Sequence, residues 1–250
     1  MKIIAVIPAR YASTRFPAKL MQDLGGKTII LRTYQAAIGT NLFDDVFVVT
    51  DSDLIYNEII SNGGKAIMSI KEHESGSDRI AEAITTMDVD VVVNVQGDEP
   101  MMHPEMFDAL IEPMLKNDHI KGTILGMLIE EEEIWRNPDT VKLIHNDNWE
   151  VLYTTRAAVP YNNNKFSLEL KARRIYGLFA FRWKYLKQFS AHPETRLEKL
   201  ESCDSNRTLD MDFRQYVAPY PFVRSYSVDN VNDINIVEAY IREDKYWGKY

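Results

Sequence analysis

Short apolar runs recur through the first half of the chain, each followed by a stretch with helical spacing. This alternation narrows the available folds more than any other feature. Ile3–Pro8, Val46–Thr50, Lys65–Ser69 and Val89–Val95 read as strands, and Thr28–Ile38, Asp53–Ser61, Ser77–Met87 and His103–Leu115 read as the helices that follow them. Gly25-Gly26 and Gly63-Gly64 supply turns, and Pro104 is acceptable in the first turn of its helix. Strands of about 4–8 residues alternating with helices predict an α/β fold whose parallel sheet is assembled from βαβ units.

Beyond about residue 120 the rhythm changes. Gly122–Ile129, Val141–Ile144, Val151–Thr155 and Gly177–Arg182 read as successive strands with short connections, followed by helices at Trp183–Ser190 and Thr195–Cys203. Asn162-Asn163-Asn164 reads as an exposed turn. Val223–Val228 is expected to return to strand, and Asp233–Tyr246 to close as a helix. With no repeat and no low-complexity linker, the expectation is one domain over residues 1–250, in which roughly residues 122–215 form an insertion or subdomain on the same sheet.

Composition excludes several classes of function. The net charge of −8 repels nucleic acid and anionic lipid, so any anionic ligand must be drawn by a local cationic pocket. Cys203 is the single cysteine, which excludes an intramolecular disulfide and a cysteine-based zinc site, and the five histidines show no H-x-x-x-H pairing. The apolar start is too short for a secretory h-region and no stretch approaches a membrane span, so a cytoplasmic protein without membrane insertion is expected.

Against that acidic background, "IPARYASTRFPAKL" at 7–20 places Arg10, Arg15 and Lys19 at the carboxyl end of the first strand. Open parallel sheets bind ligands at such ends. Three cations there suit a polyphosphate, and a solvated loop paired with carboxylates accounts for the spacing equally well. "VVVNVQGDEP" at 91–100 brings Asp98 and Glu99 to the same sheet edge. A carboxylate beside a polyphosphate calls for a divalent cation between them, unless Asp98 merely caps the next helix. "SYSVDNVNDI" at 225–234 offers Asp229 as a second carboxylate, with Asp233 the better candidate for a helix cap. "ESGSDRIAEAI" at 74–84 presents the hydroxyls and amides of Ser75, Gly76 and Ser77 at a helix start, with Arg79 either in a site or on the surface.

In order, these stretches resemble the CMP-KDO synthetases, the 3-deoxy-manno-octulosonate cytidylyltransferases. So do "TDSD" at 50–53, "NPDTVK" at 137–142, "LYTTRAAVP" at 152–160 and "LEKLE" at 197–201, and the likeness covers nearly the whole chain. The resemblance implies a Rossmann-like nucleotidyltransferase fold, with a mostly parallel central sheet, helices on both faces and a smaller inserted sheet. It implies a Mg²⁺-dependent enzyme that joins CTP to the anomeric hydroxyl of a KDO-type sugar acid and releases pyrophosphate. Lys19, Asp98, Arg10 and Asp229 would be the catalytic set, with Asp98 and Asp229 on the metal. Pro8, Ala9, Arg10, Arg15, Lys19, Thr50, Asp51, Ser75, Gly76, Arg79, Gln96 and Gly97 would hold the nucleotide. Gln96, Pro100, Arg156, Tyr176, Gly177, Glu201, Asp204 and Ser205 would meet the acid, Arg156 facing its carboxylate. Relatives imply a homodimer, for which the aromatic segment Phe213–Tyr226 serves as interface or as core.

The sugar-facing half departs from the family pattern. Ile175 stands where the family strand carries histidine, Asp204-Ser205 replaces a Glu-Gln pair, and Ala18 replaces a common glycine. These changes leave open a different acidic acceptor, because sites built to bond a hydroxyl discriminate strongly. A catalytically silent nucleotide-binding homologue has no need of two metal carboxylates, and a dinucleotide oxidoreductase lacks its glycine fingerprint.

Overall fold

Strand β1 (Ile3–Ala9) is buried along almost its whole length, and this fixes the arrangement of the first unit. A computed structural model describes residues 1–12, 16–73, 75–211, 213–225, 227–228 and 231–249. Arg15 and Asp229, both expected in the site, lie outside the described residues. The chain divides into two units, Met1–Asp108 with Arg224–Tyr250, and Ala109–Val223.

In the first unit β1 pairs in parallel with β2 (Asp45–Thr50) on one side and β4 (Val91–Val95) on the other, and β2 pairs in parallel with β3 (Ala66–Met68). A parallel sheet covered on both faces needs apolar residues at consecutive positions, which is why Val91, Val92, Val93 and Val95 are all fully buried. Helices α1 (Ile29–Gly39), α2 (Asp53–Ser61) and α3 (Gly76–Ala83) make the crossovers. Thr28 caps α1 by accepting from the Leu31 N–H, and Ser75 caps α3 by accepting from the Asp78 N–H. Helix α4 (Pro104–Lys116) leads into the second unit.

There β5 (Gly122–Leu128) pairs antiparallel with β8 (Arg173–Arg182) and parallel with β9 (Tyr216–Tyr220). Strands β6 (Lys142–His145) and β7 (Val151–Thr155) form a hairpin, joined to β8 at Lys142 and Leu143. Helix α5 (Glu132–Arg136) buries Trp135, whose indole N–H donates to the Val159 carbonyl at 2.7 Å. Helices α6 (Trp183–Ala191) and α7 (Arg196–Glu201) follow β8.

Three local expectations are corrected. Residues 221–225, 227 and 228 form no strand. The ladder runs through β9 instead and stops before Pro221, which has no N–H to give it. Strand β8 begins at Arg173 rather than Gly177. Asp233 sits inside the first turn of α8 (Val231–Glu243), where a carboxylate suits the helix dipole, and not at the cap.

Two buried cations fix the second unit locally. The Arg207 guanidinium meets Glu198 through three contacts, the shortest 2.6 Å, with the two side chains 1% and 5% exposed. Glu198 also closes the capping box with Thr195 at the start of α7. The Lys142 ammonium donates to the carbonyls of Asn137, Thr140 and Arg156 at 2.8, 2.6 and 2.8 Å. Burial pushes its pKa down to about 8, the Arg156 charge adding to the effect and Glu201 opposing it.

Glu198→Gln strands the Arg207 charge, so the urea midpoint should fall by the equivalent of about 3–5 kcal/mol. A second expectation concerns pH. From about 8 to about 10.5 the folded chain releases the Lys142 proton while the unfolded chain keeps it, so this residue makes stability rise with pH through that window. Urea unfolding of Lys142→Met across the same range should lack that part of the slope; identical slopes in both proteins would contradict it.

Candidate active site

The carboxyl ends of β1, β2 and β4 gather most of the expected nucleotide residues. Ala9 pairs with Thr50 at the ends of adjacent strands, and a Cβ on Gly76 would lie 2.9 Å from the Pro8 ring, so the Ser75-Gly76 helix start packs directly on β1. The Ser75 hydroxyl, besides capping α3, donates to the Asp78 carboxylate at 2.8 Å. Asp51 accepts from the Arg79 guanidinium at 2.7 Å, and Arg79 is buried. Arg10 and Gln96 are exposed beyond their strands.

The cationic loop and the carboxylate loop meet. Lys19 Nζ lies 2.6 Å from Asp98 Oδ2, a contact between residues 79 apart in sequence, with the side chains 14% and 23% exposed. At these exposures the ion pair is partly shielded from water. Three backbone features hold its two arms. Ala18 takes the left-handed conformation (φ 54°) just before the 3-10 turn Lys19–Met21, and its N–H donates to the Tyr11 carbonyl at 3.3 Å. The left-handed region costs a residue with a Cβ about 1–2 kcal/mol, so glycine is the easier occupant of position 18. On the other arm, the Gly97 carbonyl accepts from the Thr33 hydroxyl at 2.9 Å, and the Asp98 carbonyl accepts from the Val228 N–H at 3.2 Å. The second bond ties the residue before Asp229 to Asp98 itself.

The donor chemistry fits a hard divalent cation. Among the described residues no group of three or more His, Cys, Asp or Glu gathers at one point, and Asp98 contributes a lone carboxylate. Mg²⁺ takes one or two carboxylates and completes its shell with phosphate oxygens and water, so one or two Asp side chains beside cations suffice for it and would not suffice for zinc.

The residues expected to meet the acid divide between the units. Gln96 and Pro100 belong to the first, with Pro100 buried. The others belong to the second. There Arg156 is held by backbone oxygens: its guanidinium donates to Glu201 O at 2.9 Å, Pro138 O at 3.0 Å and Ser202 O at 3.2 Å. Glu201 accepts from the Tyr153 hydroxyl, the Thr155 hydroxyl and the Arg156 N–H at 2.7, 2.9 and 2.9 Å. Burial raises the Glu201 pKa, and the three donors with the Arg156 charge outweigh it, leaving the carboxyl below its ordinary range. Tyr176 and Gly177 are buried in β8, with Arg174 over the Tyr176 ring at 5.4 Å. Ile175 is half-buried on the same strand. Asp204 and Ser205 open the 3-10 turn Asp204–Asp210, and Asn206 in that turn exchanges hydrogen bonds with Thr154 of β7.

Sequence reasoning missed Thr33, which bonds the Gly97 carbonyl, and the pairing of His103 with Asp244, 141 residues away. A hydroxyl inside an amphipathic helix and a histidine just before a proline carry no signal until the fold brings their partners.

The family model described as Cytidylyltransferase matches residues 4–215. A 3-deoxy-manno-octulosonate cytidylyltransferase of Flavobacterium johnsoniae is 50% identical over 97% of this chain and 100% of its own length. Another of that name, from Christiangramia forsetii, is 41% identical over 93% and 94% of the two chains. Among solved structures, a CMP:2-keto-3-deoxy-manno-octonic acid synthetase complexed with CTP superposes with a TM-score of 0.87 at 30% identity, covering 97% of this chain and 99% of that one. With the loop geometry, these likenesses establish the chain as a nucleotidyltransferase that belongs to the 3-deoxy-manno-octulosonate cytidylyltransferases, within the wider cytidylyltransferase family.

Proposed function

We propose that this chain transfers CMP from CTP to the anomeric hydroxyl of 3-deoxy-manno-octulosonate and releases pyrophosphate, with Mg²⁺ as the metal and a homodimer as the working form. The observation that carries the reading is the Lys19–Asp98 pair at the sheet edge, one partner suited to phosphate and the other to a metal. The half-identical relative of that name supports the choice of acid.

The anomeric oxygen forms a bond to the α-phosphorus as the bond to the β-phosphate bridging oxygen breaks, and the hydroxyl proton is lost. Little covalent work falls to the protein, so alignment and charge neutralisation dominate. Lys19 leaves Asp98 for the triphosphate, where Arg10 and Arg15 join it. Pro8, Ala9, Thr50, Asp51, Ser75, Gly76, Arg79, Gln96 and Gly97 frame base and ribose. Asp98 and Asp229 would hold Mg²⁺, which would offset the repulsion between incoming oxygen and phosphate. Arg156, Tyr176, Gly177, Glu201, Asp204 and Ser205, with Gln96 and Pro100, receive the acid. Ile175, Asp204 and Ser205 favour a second reading, in which the same transfer is made to another acidic acceptor.

Asp98→Asn should lose Mg²⁺-dependent pyrophosphate release by a factor of at least about 10²–10³ while melting within a few degrees of the parent. Normal release by this variant would falsify the assignment. A panel of 2-keto-3-deoxy acids offered with CTP should give the highest kcat/KM for 3-deoxy-manno-octulosonate; a clear preference for another acid would transfer the conclusion to the second reading.

A further inference from the structure

The residues after α8 fold back onto the segment that follows Asp98. His103 Nε2 lies 2.6 Å from Asp244 Oδ2, with the side chains 8% and 11% exposed. The Tyr246 ring lies 5.0 Å from the His103 ring, and the Tyr246 hydroxyl and Lys245 ammonium both reach Glu105 Oε1, at 2.8 and 2.7 Å. Trp247 lies under the Arg32 guanidinium, 4.4 Å from its carbon, and a cavity lined by Pro100, Met101, Arg32, Asp244 and Trp247 separates the two segments. Arg32 is itself fastened to the carbonyls of Leu24 and Gly25. Burial would raise the Asp244 pKa, but the His103 hydrogen bond, the Tyr246 N–H and the charges of His103 and Lys245 together lower it.

None of these groups reaches the carboxylate of Asp98. They grip what comes after it: residues 100–105 are held by the C-terminal residues, while residues 97 and 98 are held separately, through their carbonyls, by Thr33 and Val228. The loop carrying Asp98 is thereby clamped at both ends. The His103–Asp244 pair is buried from water, unlike the half-exposed Lys245–Glu105 pair, which makes it the firmest polar link of the clamp.

We propose that Asp244–Gly248 form a clasp, and that His103 and Asp244 are positioning residues that hold the Asp98 loop in the geometry required for metal-assisted nucleotide binding. The proposal rests on the reading of Asp98 as a metal carboxylate.

The test uses the full chain without any acceptor, so that no turnover occurs, and reads thermal unfolding with CTP in EDTA and with CTP in a Mg²⁺ series. The parent should gain stability from CTP alone and a further increment from Mg²⁺. Asp244→Asn should keep the CTP gain and need about tenfold more Mg²⁺ to reach half of the further increment. His103→Leu should do the same, while His103→Gln, whose amide N–H still reaches Asp244, should return close to the parent. Trp247→Leu loosens the clasp from its other end and should shift the Mg²⁺ midpoint in the same direction if Asp244→Asn does not fold. Variants that melt earlier but keep the parental Mg²⁺ midpoint would overturn the proposal and leave the pair a purely structural link. A parent with no Mg²⁺ increment, matched by Asp98→Asn, would overturn the underlying metal reading and the proposal with it.

Discussion

The interior strands β1 and β4 lie side by side in the first unit with both faces covered, and this constraint governs where chemistry can occur. Strands buried on both faces have almost no room for polar side chains. Asn94 is the exception on β4, and it is paired with Ser77 at 3.2 Å. Charged groups are therefore displaced to the loops at the strands' carboxyl ends, where three adjacent parallel strands deliver them together. The Lys19–Asp98 pair forms at that edge because the sheet brings two distant loops to one place.

The sheet was readable from sequence for the same reason. Runs such as Val91–Val95 have no solvent-facing reading, and their spacing leaves room only for crossover helices. The misreadings fall where local pattern and tertiary demand part company. Val223–Val228 has strand composition, but Pro221 ends the ladder before it. Asp233 has the character of a cap, yet the helix starts two residues earlier. In the candidate site the types of residue were legible and their present partners were not. No spacing rule shows that Arg79 is committed to Asp51, or Arg156 to a set of backbone oxygens.

Arg156 illustrates how a residue selected by resemblance acquires a physical description. Its guanidinium joins the Pro138 turn to the end of α7, and its N–H joins β7 to Glu201. Glu201 in turn collects donors from Tyr153 and Thr155, so one strand and one helix end share a single network. Networks of this kind over-determine the positions of their members and hold a polar group at a fixed orientation. Position 18 is a different case. The left-handed backbone there is one that glycine takes freely, and alanine occupies it at a modest conformational cost.

The buried Glu198–Arg207 pair has a consequence beyond its own stability. It joins α7 to the 3-10 turn that begins at Asp204, so the backbone of positions 204 and 205 is held from outside those positions. Asp204 is half-buried on this turn, whereas the Ser205 side chain is only 3% exposed and belongs to the frame itself. A change of acid length at position 204 alters what the turn displays and leaves where it displays it intact, while a longer side chain at position 205 has to be packed inside. New chemistry at position 204 therefore needs no new fold, and the ion pair acts as a source of evolutionary latitude at that one position.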